Sequence, residues 1–158
     1  ELNVIPADTK KAPHYGYPFI HSAPDGSRIK DPKFGDHPDA QGLAFGDPAV
    51  RVQAHAAVLG MSFYRGEQFP APFSNALFVA EHGSWNRSKK VGYQVSVATF
   101  DSAGKPTYQP FITGWLEGQK AWGRPNDVLP TPDGGLLVSD DKAGVIYRVS
   151  ATMPLAAL

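Results

Sequence analysis

The chain has 158 residues, 42% of them hydrophobic and 11% aromatic, which is enough to bury a core and excludes a disordered chain. Fifteen Lys+Arg balance fifteen Asp+Glu, and without a dense basic block nothing favours nucleic acid or an anionic membrane as partner. The absence of cysteine excludes a disulfide framework and Cys-ligated zinc, and no run approaches the length of a membrane span.

Sixteen glycines and fifteen prolines lie between short apolar runs, a pattern of many strands joined by tight turns. An all-β fold is expected. Glu1 opens the chain without a Met start or a leader-like segment, so residues are expected upstream of it. Residues 1–50 carry Pro13, Pro18, Pro24, Pro32, Pro38 and Pro48 and read as a loop-rich connection with at most a few short strands. Strands are then predicted over 59–64, 75–81 and 92–100. A turn over 101–106 leads to a fourth, outer strand over 108–115. After Gly123 the order repeats: strands over 126–130, 135–140 and 144–149, joined by the Thr131-Pro132-Asp133-Gly134 turn and by a second turn over 140–144. Leu77-Phe78-Val79 aligns with Leu136-Leu137-Val138 at an offset of 59 (136 − 77), and Tyr93 with Val145 at 52 (145 − 93). Four strands per module is a propeller blade, and the second copy stops near residues 151–154 without its fourth strand.

The expected architecture is therefore one β-propeller domain over 1–158: a connection (1–50), a blade (51–118) and a final, incomplete blade (119–158). The chain would hold roughly the last two to three blades of the ring. Exposed blade edges would pair with the missing part of the propeller or with another chain.

Four stretches in fixed order carry a family resemblance: Glu1 to Ile5 leading to Tyr15-Gly16-Tyr17-Pro18; Leu59-Gly60-Met61-Ser62-Phe63-Tyr64; Glu81-His82-Gly83-Ser84-Trp85-Asn86-Arg87; and Gly123-Arg124-Pro125-Asn126-Asp127-Val128 with Pro132-Asp133-Gly134. Together they resemble the C-terminal portion of the glucose/sorbosone dehydrogenase family, nearest its sorbosone dehydrogenase-like branch. The resemblance implies a six-bladed propeller in the intact protein. It further implies oxidation of an aldose or sorbosone by hydride transfer to pyrroloquinoline quinone (PQQ), with calcium beside the quinone, a separate electron acceptor, and a periplasmic or secreted location. PQQ carries three carboxylates, for which arginine's planar fork is well suited. The resemblance places Arg87 and Arg124 as cofactor ligands, with Asn126 standing where soluble glucose dehydrogenases carry a second arginine. The family's catalytic histidine and calcium ligands precede Glu1, so the chain alone is not expected to be a complete enzyme. Within the chain, His82 is the candidate base.

Each candidate has a plainer reading. Arg87 could be a surface cation stacked on Trp85, and Arg124 could bond a carbonyl of the adjoining blade or Asp127. His82 could be a hydrogen-bonded structural residue rather than a base oriented by Glu81. Asp140-Asp141 reads as an Asx-type turn in solvent. Trp85 is the candidate sugar platform, whereas Trp115 and Trp122 read as packing residues. His14, His21, His37, His55 and His82 lack metal-ligand spacing, so no metal site is expected within the chain. A non-catalytic carbohydrate- or protein-binding propeller and a metal-dependent sugar lactonase are the competing functions.

Overall fold

The computed structural model describes residues 1–23 and 25–151. Pro24, expected in the loop-rich connection, and residues 152–158, expected at the end of the final blade, lie outside the described residues. Among the described residues there is no α-helix, and the chain separates into two compact units, 1–53 and 54 onward.

In the first unit a short hairpin pairs β1 (Ile20–Ser22) with β2 (Arg28–Lys30), with Ile20 opposite Lys30. Asp25 closes its turn, its Oδ1 accepting from the Ser27 amide at 2.9 Å and hydroxyl at 2.7 Å. Single bridges join Leu2 to Val50 and His14 to Phe45. The His14 ring packs against Phe19 and Phe45, with centroids 5.7 and 5.1 Å away.

The second unit holds the repeat. Strands β3 (Val58–Phe63), β4 (Leu77–Glu81), β5 (Gln94–Phe100) and β6 (Pro106–Ile112) form an antiparallel sheet in that order. A two-residue hairpin, β7 (Leu116–Glu117) with β8 (Lys120–Ala121), leads to the three-stranded antiparallel sheet of β9 (Pro125–Pro130), β10 (Leu136–Asp140) and β11 (Val145–Val149). These are blade meanders, with β9 lying against β3 and β4. The central strands β4 and β5 read as nearly continuous apolar runs because both their faces are covered, whereas β3 alternates half-buried and exposed positions.

The turns follow from residue chemistry. Asp101 Oδ1 accepts from the amides of Ala103 and Lys105 at 2.9 and 2.8 Å, while Gly104 takes the positive φ of +75° that closes the β5–β6 turn. The predicted outer strand over 108–115 instead runs Pro106–Ile112. Gly114, at φ +121°, turns the backbone out of the extended region, and Trp115 enters the core. Hairpin β7–β8, which the sequence did not reveal, follows directly.

The core between the two sheets is aromatic. Phe78, fully buried, has the rings of Phe111 and Tyr64 at 4.7 and 5.6 Å, both edge-on, with Phe69 at 6.0 Å. Burial of such a side chain contributes about 1.5–3 kcal/mol, and each well-placed aromatic pair about 0.5–1.5 kcal/mol more. On the other face of the first blade Glu81 is buried, with no cation side chain bonded to it among the described residues. Its Oε1 accepts from the hydroxyls of Ser96 and Tyr108, both at 2.7 Å, and its Oε2 from Gln94 at 3.2 Å. Burial first, and the bond to Glu81 second, push the Tyr108 phenol above its ordinary range.

Tyr64 links the sheets at one end. Its hydroxyl donates to Gly134 O at 2.5 Å, in the β9–β10 turn, and accepts from the amides of Gln68 and Phe69 at 3.0 and 3.1 Å. Tyr64→Phe leaves these buried groups unpaired and is expected to lower stability by about 1–3 kcal/mol, read as a lower denaturant midpoint with unchanged slope. An unchanged midpoint would show that the hydroxyl does not hold the blades together.

Candidate functional site

The antiparallel order brings the ends of β4 and β10 and the start of β9 to the end of the sheets opposite the Tyr64 link. From there project the 82–93 loop, the 122–124 segment and the 140–144 turn. The root of the first loop is fixed by backbone bonds on both sides. The amides of His82 and Gly83 donate to Ala57 O and Ala56 O at 2.9 and 2.8 Å, and Ser84 N donates to Val91 O at 2.9 Å. Gly83 has φ +94°, and a Cβ there would stand 2.5 Å from the Tyr93 ring, so only glycine fits. Tyr93 donates its hydroxyl to Ser84 O, closing the loop beneath its exposed tip.

Arg124, immediately before β9, reaches across to this root. Its Nε donates to His82 O at 3.0 Å, its Nη2 to Gly83 O at 2.5 Å, and its guanidinium lies 5.5 Å from the centre of the Tyr93 ring. Its own amide donates to Asp140 Oδ1 at 2.9 Å. Part of the fork expected to meet a ligand thus binds the neighbouring blade's backbone. Arg87 is half-buried and donates through Nη1 to Ala54 O at 2.9 Å; it stands in the loop with Trp85, whose side chain is 84% exposed. Asn126, on β9, lines a shallow groove of about 260 Å³ with Ser139, Asp141 and Ile146.

His82 has a carboxylate partner, but not Glu81. Successive strand residues point to opposite faces, so Glu81 turns into the blade while His82 Nε2 meets Asp141 Oδ1 at 2.8 Å. The expectation that Asp140 and Asp141 form an Asx-type turn in solvent holds for the turn and for the exposed Asp141, and is corrected for Asp140. Asp140 Oδ1 does accept the Lys142 and Ala143 amides, at 3.1 and 2.8 Å, but the residue is only 2% exposed and its Oδ2 accepts from Tyr147 Oη at 3.2 Å. Asp141 was the partner that the sequence reading missed. The signal was the repeat itself, since Asp141 stands 59 residues after His82 (141 − 82), the blade offset. The structure brings His82, Asp141 and Arg124 together. The described bonds do not join Arg87 or Trp85 to them.

The His82 hydrogen bond, ahead of the His82 and Arg124 charges, holds the Asp141 carboxyl below its ordinary range. A lowered carboxylate pKa adds stability above the unfolded value, and that stability is lost as pH falls through the folded one. The Asp141 carboxyl carbon is therefore expected to titrate below about 3.9 by NMR and to return toward that value in His82→Gln. An identical titration in the two proteins would refute the bond. Arg124→Met is expected to cost about 1–3 kcal/mol and to raise amide exchange across 82–93. Unchanged exchange there would remove Arg124 as the clamp.

A family model described as TrAA12-like matches residues 1–152. A curated protein of Borreliella burgdorferi, described only as uncharacterized, is 39% identical over 153 residues, covering 94% of this chain and 38% of its own length. Among solved structures, the chain is similar to the holo form of the PQQ domain of pyranose dehydrogenase from Coprinopsis cinerea. That match has a TM-score of 0.69 and 25% identity, covering 90% of this chain and 41% of that one. It is also similar to the iodide structure of the Trichoderma reesei Carbohydrate-Active Enzymes Family AA12 protein, with TM-score 0.70 and 21% identity over 90% of this chain and 40% of that one. The chain thus spans about two fifths of the length of these relatives.

Proposed function

The chain belongs to the TrAA12-like family, and from that premise we propose that it forms the C-terminal part of a six-bladed propeller that oxidises a sugar with PQQ. The finer likeness to glucose/sorbosone dehydrogenases, with an aldose or sorbosone as substrate, calcium beside the quinone and a periplasmic or secreted location, is carried in the same proposal. Among the described residues no helix is long and apolar enough to cross a membrane, and no three His, Asp or Glu residues gather as a metal site. In this reading calcium's ligands and the electron acceptor's docking surface lie in the remainder of the protein.

The observation that carries the reading is the loop over 83–91, rigid at its root and presenting Trp85, Arg87 and Lys89 at its tip. The donor set fits a planar tricarboxylate. Arg87 can bind a carboxylate through the edge of its fork that Ala54 O does not use, and Trp85 offers an aromatic face to a ring of the cofactor or sugar. Bound, the quinone would accept the hydride of the sugar. Arg124 acts here through its charge and by holding the loop, with Asn126 beside it completing the wall. A second reading, a non-catalytic propeller that binds carbohydrate, is favoured by Arg124's commitment to carbonyl oxygens and by Asn126 at the position of a second arginine. The lactonase reading lacks a converging ligand set among the described residues.

Titration of PQQ with calcium into the full-length protein is expected to give saturable quinone absorbance, weakened about tenfold or more by Arg87→Ala, the loss of one charge-assisted pair. A folded full-length protein that binds a sugar but no quinone would replace the oxidoreductase with the binding module.

A further inference from the structure

We propose that the segment 54–57 and the loop that leaves β4 form a spring-loaded latch, whose opening admits and releases an anionic ligand held at Arg87. That the ligand is an anion rests on the proposed function, whereas the latch itself is a matter of backbone geometry.

Among the described residues four other than glycine have positive φ: His55 (+70°), Ala57 (+54°), Asn75 (+57°) and Tyr93 (+62°). Three of them meet at this one place. A residue with a Cβ is disfavoured in the left-handed region, least for Asn and His and by a factor of about five or more for Ala, and it persists there only where its neighbours force it. The side chains of His55 and Ala57 are exposed, so no packing of their own accounts for the conformation. The force comes from the loop. Ala54 O accepts from Arg87 Nη1 at 2.9 Å, Ala56 O from Gly83 N at 2.8 Å and Ala57 O from His82 N at 2.9 Å. Gly92 closes over them, so near that an added Cβ would stand 2.8 Å from both Ala56 O and the Gly83 Cα. Three bonds from the loop thus hold the segment in a conformation that it would leave on its own.

When those bonds break together the segment relaxes, and the strain released offsets part of what the lost bonds cost. Arg124, bonded to the carbonyls of His82 and Gly83, pulls the other way and keeps the loop down. Opening is thereby made frequent without the closed state being lost. In the closed state Ala54 fixes one edge of the Arg87 fork and leaves the other to a carboxylate; in the open state that fixed direction is gone. A ligand bound to the free edge therefore favours closure, and its escape waits on opening.

The test reads the His82 and Gly83 amides, whose bonds break when the latch opens, by hydrogen exchange in the full-length protein. Ala57→Gly removes only an exposed methyl and the strain that goes with it. It is expected to slow exchange at both amides about two- to fivefold, the strain relieved less the freedom that glycine gains on opening. Asn75→Gly is the control: Asn75 N donates to Tyr64 O at 2.9 Å, away from the loop, and the same substitution there is expected to leave both amides unchanged. PQQ with calcium, the probe ligand, is expected to slow both amides in the parent. Its association with Ala57→Gly and its dissociation from it are expected to slow by the same factor as exchange, with Kd within about twofold. Exchange at His82 and Gly83 that is unchanged or faster in Ala57→Gly would overturn the latch, and PQQ dissociation that ignores a slowed exchange would overturn its role as a gate. A parent that binds no PQQ would sink the oxidoreductase reading, while exchange in the two variants still decides the latch.

Discussion

The arrangement at the end of the sheets that carries the 82–93 loop depends on one bridge, the Arg124 guanidinium donating to the carbonyls of His82 and Gly83. At the end of β4 the chain leaves the sheet ladder, so these carbonyls lose their strand partners, and burying them unpaired would cost roughly 1–3 kcal/mol each. Arginine is the one side chain whose rigid fork reaches two successive carbonyls at once. The amides of the same two residues are satisfied from the other side, by Ala56 and Ala57. Four backbone groups are thereby fixed by neighbours distant in sequence, and the loop beyond inherits its direction from them.

The repeat explains why acids gather where these blades end. Glu81 and Asp140 occupy equivalent positions, each the last residue of its blade's second strand, and each is buried. Neither pairs with a cation side chain among the described residues. Glu81 is held by two hydroxyls and an amide side chain, and Asp140 by three backbone amides and a tyrosine. Several donors to one carboxylate can offset its desolvation where a single ion pair often does not. The next equivalent pair, His82 and Asp141, faces outward, and there the two blades touch each other. One strand pattern thus supplies a buried acid inside and a contact between blades outside.

What could be read from the sequence was local. Asp101 with Gly104 and Pro132-Asp133-Gly134 fix turns through their own side chains and φ values, so the strands on either side fell near their predicted ranges. Hairpin β7–β8 was invisible because two-residue strands carry no periodicity. Residue partnerships were harder still. Glu81 is adjacent to His82 in sequence and suggested itself as the orienting acid, but strand alternation separates them, and Asp141 arrives only through packing of the following blade. The motif around Gly83-Ser84-Trp85 falls in the loop that leaves β4 and is fixed at its root by backbone bonds. Nothing in that motif states that Gly83 is required by the ring of Tyr93, ten residues on.

In the proposed site the two arginines would divide the work of binding an anion. Bonds from Arg124 end on neutral carbonyl oxygens, so its positive charge is not cancelled by a carboxylate bonded to it. That charge is felt at Asp141, whose carboxyl it helps to hold below the ordinary range. A half-buried charge is screened less by salt than an exposed one, so Arg124 can favour an anion nearby while remaining a structural element. In the proposed function Arg87, carried on the loop that Arg124 holds, is the group that would touch such an anion directly. Attraction and contact need not come from the same side chain, so in the proposed site a neutral Asn126 two residues after Arg124 is compatible with anion binding.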